Sequence, residues 1–530
     1  MARTVRLRPW QKAALDAFVA SQAPDFLAVA TPGAGKTTFA LTAARHELAV
    51  RPSRLVVVAP TAHLKLQWAR AAAAFALHLD PAWSADEGFP RDMHGVVTTY
   101  QQVAANAELF ARLSEDAFVV FDELHHAAEE RAWGEATAAA FARARRRLAL
   151  SGTPFRSDTR AIPFVRYDGD EAVPDYEYSY GDALVDRGVV RPVYFPRTNG
   201  EMEWAAPDGS VYKATFDDAL DASRAAQRLR TALSLEGEWL PTVLRAANER
   251  LAEVRKEQPD AGGLVIATDR EHARGIAALL RSRFRTRAVV VTSDDPGASA
   301  AIERFAAGRE PWLVAVRMVS EGVDIPRLRV GVYATTTTTE LFFRQAVGRF
   351  VRWTRGVPRQ RAWLYIPDDP RLRIVAWAIA EQRRHSLRRR DEEEARPLVL
   401  AAAESGGDPD QISLFAVISA VATEHDAAGD ELHDLDDDLD EAGYELTLAE
   451  PPPLLGGGSA DEALTRREEK SRLRDANAAV ARELSRRTGL THARVNAELN
   501  RLSGIGRVAQ ATVPELSARL QAANRWLAQV

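Results

Sequence analysis

The chain has 530 residues, 46% hydrophobic and 27% charged, with a formal net charge of −5 and no cysteine. That length exceeds a single ordinary core and fits about three or four folded units, while the missing cysteines exclude disulfides, thiol nucleophiles and cysteine-ligated zinc or iron–sulfur centres. No apolar run approaches a membrane span, and the opening Met-Ala-Arg-Thr-Val-Arg-Leu-Arg-Pro-Trp carries no apolar secretory core, so a cytoplasmic protein with no membrane partner is expected.

Along residues 26–153, short apolar runs at 26–29, 55–58, 96–97, 118–121 and 148–150 alternate with helical stretches. Continuous β-branched runs between helices predict parallel strands buried on both faces. Residues 157–232 are richer in Tyr, Pro and Asp and read as a connector with a small inserted subdomain. The strand rhythm returns at 264–266, 288–291, 313–316, 330–333 and 362–366. Residues 372–395 form a predicted helix carrying Arg383, Arg384, Arg388, Arg389 and Arg390, read as a solvated face ahead of a nucleic-acid patch.

The stretch 424–450 holds twelve Asp or Glu and no Lys or Arg; removing those twelve charges from −5 leaves the rest of the chain at +7, so overall acidity does not exclude a polyanionic partner. With Pro451-Pro452-Pro453 and Gly456-Gly457-Gly458 behind it, residues 424–460 read as a linker. Beyond it, two helices joined at Gly489 carry Arg494 and Asn496 on the second; a plain helical bundle is favoured over a helix-turn-helix. The expected fold is α/β: two tandem parallel-sheet domains (1–156 and 233–370), an inserted connector (157–232), a helical extension (371–423), the linker and a C-terminal helical domain (461–530).

The first predicted strand runs into Thr31-Pro32-Gly33-Ala34-Gly35-Lys36-Thr37-Thr38 and then a helix. Glycines there let main-chain N–H groups close around phosphate, and the helix N-terminus adds partial positive charge. Lys36 would reach the β- and γ-phosphates of ATP and Thr37 would ligate Mg²⁺. Ala30 stands where the general pattern has its first glycine. The strand 118–121 ends in Asp122-Glu123-Leu124-His125. Paired acids at the end of a buried strand need a cation or a proton role, so Asp122 would hold Mg²⁺ and Glu123 would orient and deprotonate water.

In this order the motifs resemble the superfamily 2 helicases, in the DExH branch of the DEAD/DEAH-box proteins, over about residues 7–355. The resemblance implies RecA-like domains and a nucleic-acid-dependent ATPase. It makes Leu7-Arg8-Pro9-Trp10-Gln11 the adenine-reading segment, with Gln11 on the base. It makes Pro60 through Trp68 and Thr98-Thr99-Tyr100 nucleic-acid contacts, through Thr61, Gln67 and Thr99, and Ser151-Gly152-Thr153-Pro154 a coupling element with His125. Later come Thr268 after the 264–266 strand, Ser320-Glu321-Gly322-Val323-Asp324, and Gln345 through Arg352. These imply nucleic-acid roles for Thr268 and Ser320, nucleotide contacts for Gly322 and Asp324, and coupling through Gln345. Arg349 and Arg352 would supply the second-domain arginines, three apart on a predicted helix and so on one face; such residues contribute on the order of 10³–10⁵ in rate.

Gln345 in place of His-Arg, Gln67-Trp68 closing motif Ia and His125 closing motif II resemble the DNA-acting restriction-subunit and excision-repair motors. That implies a DNA helicase with 3′ to 5′ travel and protein partners in repair or defence. Three alternatives stay open: a double-stranded DNA translocase that remodels without unwinding, an RNA helicase, and a non-motor DNA-binding regulator with a vestigial core. The last conflicts with the presence of Lys36, Asp122, Glu123, Arg349 and Arg352.

Overall fold

The computed structural model describes residues 3–83, 93–128, 131–152, 162–169, 171–205, 210–292, 295, 297–316, 325–358, 360–404, 443–448, 463–508 and 511–529. Two compact units emerge: Met1–Val29, Gly35–Glu177 and Ala442–Val530 form the first, Ala30–Ala34 and Tyr178–Glu441 the second.

The first unit opens with β1 (Arg3–Leu7), α1 (Pro9–Ala20) and β2 (Asp25–Ala30), followed by α2 (Lys36–Val50), β3 (Leu55–Ala59) and α3 (Ala62–Ala74). Next come β4 (Leu79–Asp80), β5 (Gly95–Thr99), α4 (Tyr100–Ala105), β6 (Phe118–Phe121) and β7 (Arg146–Ser151), then a hairpin of β8 (Arg166–Asp168) and β9 (Glu171–Val173), and β10 (Tyr176–Tyr178). The main sheet has the order β10-β2-β7-β6-β3-β5-β4, and β2, β7, β6, β3, β5 and β4 run parallel. Strand β3, Leu55-Val56-Val57-Val58-Ala59, has no exposed residue, as a strand covered on both faces requires. Because the strands are parallel and in register (Val29 beside Ser151, Phe121 beside Ala149 and Val58), the residues after β2, β3, β6 and β7 all emerge at one rim of the sheet. Ligands of open α/β sheets bind at that carboxyl rim.

The C-terminal segment belongs to this unit. Helices Ala463–Thr488, His492–Ser503 and Val513–Leu527 bury Ala481, Leu484, Val495, Leu499 and Ala523 together, and Gly489 turns the chain at φ +70°. The segment is helical, and its three helices share one small core, a packing common to a plain bundle and a helix-turn-helix. Asn496 is turned inward: its Oδ1 accepts from Arg519 at 2.7 Å, while Asn500 and Asn477 accept from the same guanidinium at 2.9 Å each. Arg519 is 1% exposed, so its charge is solvated by these amides alone among the described contacts. Arg519→Ala strands three acceptors beside a cavity and should destabilise the bundle by about 3 kcal/mol, read by chemical denaturation; a change below about 0.5 kcal/mol would show the network to be idle.

One expectation needs correction. Inside the stretch read as a linker, Tyr444–Leu448 is a strand, β20, antiparallel to β1 in five consecutive pairs from Arg3↔Leu448 to Leu7↔Tyr444. Its alternation of Tyr444, Leu446 and Leu448 was hidden by the acidic composition around it, and its partner lies at the far end of the chain.

In the second unit β11 (Val193–Tyr194), β12 (Arg197–Thr198) and the hairpin β13 (Glu201–Ala205) and β14 (Val211–Thr215) come from the connector region. They precede β15 (Gly262–Ala267), β16 (Ala288–Val291), β17 (Trp312–Val316), β18 (Leu328–Ala334) and β19 (Ala362–Pro367). The sheet order is β11-β19-β18-β15-β17-β16, with β12 also on β19, and the strand pairs are parallel. Gly263 is required by packing: a Cβ there would sit 2.4 Å from the ring of fully buried Trp312. The helix Pro370–Glu404 corrects a second reading. Arg383 is not solvated; it is buried, donates to the Val193 carbonyl at 2.8 Å and stacks over Tyr194. Among the described residues no helix is long and apolar enough to cross a membrane.

Candidate active site

The loop between β2 and α2 has Gly33 at φ +86° and Gly35 at φ +94°, conformations that a side chain strains. A Cβ on Gly35 would also lie 2.7 Å from Gln11 Nε2. Gln11 is buried and ties the entry segment to this loop, accepting from the Arg8 N–H (2.8 Å) and donating to the Gly35 carbonyl (3.0 Å). Lys36 and Thr37 follow at the N-terminus of α2, where the helix carries partial positive charge.

Lys36 Nζ lies 2.9 Å from Glu123 Oε1, and the other carboxylate oxygen accepts the Gly152 N–H at 2.9 Å. His125 Nδ1 stands 3.6 Å from Glu123 Oε2 and 3.3 Å from Ser151 Oγ. Ser151 and His125, expected to couple, are thus in contact at the ends of β7 and β6. Glu123 has φ +47°, a left-handed conformation costing about 1–2 kcal/mol for a residue with a side chain. Such strain persists where surroundings over-determine it, and here both carboxylate oxygens are held.

The two acids are driven apart electrostatically. Burial, then the negative charge of Glu123, raises Asp122 to about 6, against the Trp68 hydrogen bond, Lys36 and His126. Burial also disfavours ionised Glu123, but Lys36, His125 and the Gly152 N–H outweigh it and hold the group down, at about 2. Asp122 is therefore a half-buried acid with no ion pair of its own among the described residues, and it and the Thr37 hydroxyl are the kind of hard oxygen donor that suits Mg²⁺. Among the described residues no group of three or more His, Asp or Glu could hold a metal, so an ion here would complete its shell from water and phosphate oxygens.

The segments expected at nucleic acid lie close by. Thr61 precedes α3 as its N-cap residue, and Gln67 pairs with His63 at 3.0 Å. Thr99 is buried and caps α4, accepting from the Gln102 N–H at 3.2 Å. Two aromatic residues that the motif segments include, but to which the sequence reading gave no role at the acids, reach Asp122: Trp68 Nε1 donates to Oδ2 at 2.8 Å, and Tyr100 Oη donates to the main-chain carbonyl at 3.0 Å. Tryptophan in an amphipathic helix reads as core, so no sequence signal marks this bond.

In the second unit Thr268 donates through Oγ1 to the Ala334 carbonyl at 3.3 Å, and Gln345 lies in the helix Glu340–Val347. That helix ends before the two arginines, which corrects the expectation that they share its face: Arg349 lies in a turn and Arg352 in a β-bridge to Val190. Within the same unit, a Cβ on Gly33 would lie 3.3 Å from Arg352 Cδ. Thr153, Ser320, Gly322 and Asp324 lie outside the described residues.

Comparison with known proteins adds the following. Residues 4–156 match the model for the type III restriction enzyme, res subunit, and residues 246–354 that for the helicase conserved C-terminal domain. An uncharacterized protein of Mycobacterium tuberculosis (strain ATCC 25618 / H37Rv) is 49% identical over 398 residues, which is 73% of this chain and 66% of that protein. The match thus spans just under two thirds of that relative's length. The DNA 3′-5′ translocase XPB2 of Sulfurisphaera tokodaii is 23% identical over 66% of this chain and 79% of its own. A solved fragment assigned as the HsdR subunit of a type I restriction enzyme of Vibrio vulnificus superposes with a TM-score of 0.49 at 18% identity, covering 69% of this chain and 65% of that one.

Proposed function

Because the chain belongs to the superfamily 2 helicases, we propose that it couples ATP hydrolysis to movement along DNA and to separation of its strands. Residues 1–156 and 233–370 are the two motor domains in this reading. The observation that carries it is the arrangement after β6, where Glu123 is held on both oxygens by Lys36 and Gly152 while half-buried Asp122 stands beside it, raised by burial and by the charge of Glu123. Bound ATP and Mg²⁺ would supply the scissile phosphoanhydride and the positive charge that polarises it.

The chain's own residues do the rest. Gly33 and Gly35 allow the backbone to approach phosphate, Lys36 exchanges its carboxylate partner for phosphate oxygens, and Asp122 with Thr37 holds the metal. Glu123, released from Lys36, takes the proton of the attacking water. Arg349 and Arg352 stabilise charge on the transferred group, and Ser151 with His125 relays the state of the site along β7. Thr61, Gln67, Thr99, Thr268 and Ser320 are assigned to the nucleic-acid path, Gln11 to the base, and Gly322, Asp324, Thr153 and Gln345 to nucleotide contact and coupling.

The test is ATP turnover at fixed salt with single-stranded DNA, duplex, fork, overhang and RNA, alongside strand-separation assays. DNA should stimulate turnover and Lys36→Ala should abolish it. Unaltered hydrolysis in purified Lys36→Ala protein would end the reading. The likeness to a DNA 3′-5′ translocase of Sulfurisphaera tokodaii supports movement along DNA, and a second possibility is that this movement, on duplex, occurs without strand separation; displacement of a triplex-forming strand with no fork unwinding selects it.

A further inference from the structure

The route by which nucleic acid would reach the hydrolytic site is built into four side-chain bonds of the first unit. Lys65 and Trp68 lie one turn apart on α3, and both are buried. Lys65 Nζ donates to Gln102 Oε1 on α4 at 3.0 Å, and the same oxygen accepts from Thr98 Oγ1 at 3.2 Å. The helix α3 and the corner at Thr98-Thr99-Tyr100 are therefore joined into one frame. This frame delivers two donors to a single residue: Trp68 Nε1 to Asp122 Oδ2 at 2.8 Å, and Tyr100 Oη to the Asp122 carbonyl at 3.0 Å. An indole has one N–H and no acceptor, so Trp68 has no second hydrogen-bonding use. At 2% and 0% exposure, neither ring touches solvent enough to contact DNA directly.

The geometry points to Trp68 and Tyr100 as positioning residues that fix the side chain and main chain of Asp122 according to how α3 and α4 engage nucleic acid. Glu123 is served by a separate path, through Gly152 and the Ser151–His125 pair at the end of β7. The two acids thus receive two inputs, one from the frame of α3 and α4 and one from β7. The inference rests on the DNA-motor reading above and deepens it by naming the parts through which DNA stimulates turnover.

Its test measures equilibrium coupling in the full chain. Saturating single-stranded DNA should tighten binding of a fluorescent, non-hydrolysable ATP analogue with Mg²⁺, and by linkage the analogue should tighten DNA by the same factor. Trp68→Phe keeps a ring but removes the N–H, and Tyr100→Phe removes only the hydroxyl. Each should cut the coupling factor about fivefold or more, with DNA affinity in the absence of nucleotide changed less than about twofold. The two substitutions change different elements, α3 and α4, so one remains informative should the other fail to fold. Wild-type coupling in both overturns the inference, as does an equal loss of DNA affinity with and without nucleotide. A wild-type chain showing neither coupling nor DNA-stimulated turnover overturns instead the DNA-motor reading beneath it, so the two failures are told apart.

Discussion

Glu123→Gln is expected to lower ATP turnover by roughly 10²–10⁴-fold while leaving nucleotide affinity within a few fold. Glutamine preserves the size of the side chain and an oxygen to accept from Gly152, so the strained backbone at residue 123 stays in place. It cannot take a proton from water. Lys36, His125 and the Gly152 N–H hold Glu123 ionised at about 2, too acidic for an efficient base near neutral pH. Lys36 is the leading cause of that depression, and it is also the residue assigned to phosphate. In the proposed reading, Lys36 turning to phosphate would remove the main counter-charge of Glu123 and raise its proton affinity toward the working range, so that the substrate would activate the base. Phosphate release and binding of a fluorescent nucleotide check both halves; turnover within about threefold of wild type would remove Glu123 from the chemistry.

Arg352→Ala should reduce kcat on the order of 10³-fold with little change in DNA affinity. The aliphatic stem of Arg352 lies against Gly33, close enough that a β-carbon at 33 would touch it. Lysine at 352 should restore little, because a flexible point charge does not replace a planar fork of donors. Arg349 sits in a turn instead of on a shared helical face, so the two arginines need not act alike. The Arg349→Ala, Arg352→Ala pair distinguishes the cases: a double variant no slower than the worse single one indicates a single unit, whereas multiplied losses indicate two separate contacts. A kcat for Arg352→Ala within about threefold of wild type would rule out the assigned role.

The sheets were legible before any coordinate because their strands are buried on both faces and read as unbroken apolar runs. Phe118-Val119-Val120-Phe121 can be little else, and its parallel setting puts Asp122 at a ligand-binding rim. The loop at Gly33 and Gly35 was legible because glycine is the residue that such backbone angles favour. Elsewhere the deciding partner is remote. Tyr444–Leu448 looks like part of an acidic linker until Arg3–Leu7 is set beside it. Arg383 and Asn496 look like surface residues until Tyr194 and Arg519 are known to face them. The bond from Trp68 to Asp122 is of the same kind, since nothing in either local sequence refers to the other.

The pairing of Arg3–Leu7 with Tyr444–Leu448 also bears on how the chain is made. Arg3–Leu7 is synthesised before the whole second unit and Tyr444–Leu448 after it. At about 5–20 residues per second, that interval is roughly 20–90 s. Throughout it the N-terminal strand is an open edge next to Gln11, and the charges of Arg3 and Arg6 are the sort of residue that keeps such an edge from pairing with another chain. The nucleotide loop, entered from β2 and paired to β7, can form while Arg3–Leu7, which leads into the helix of Gln11, still lacks its partner.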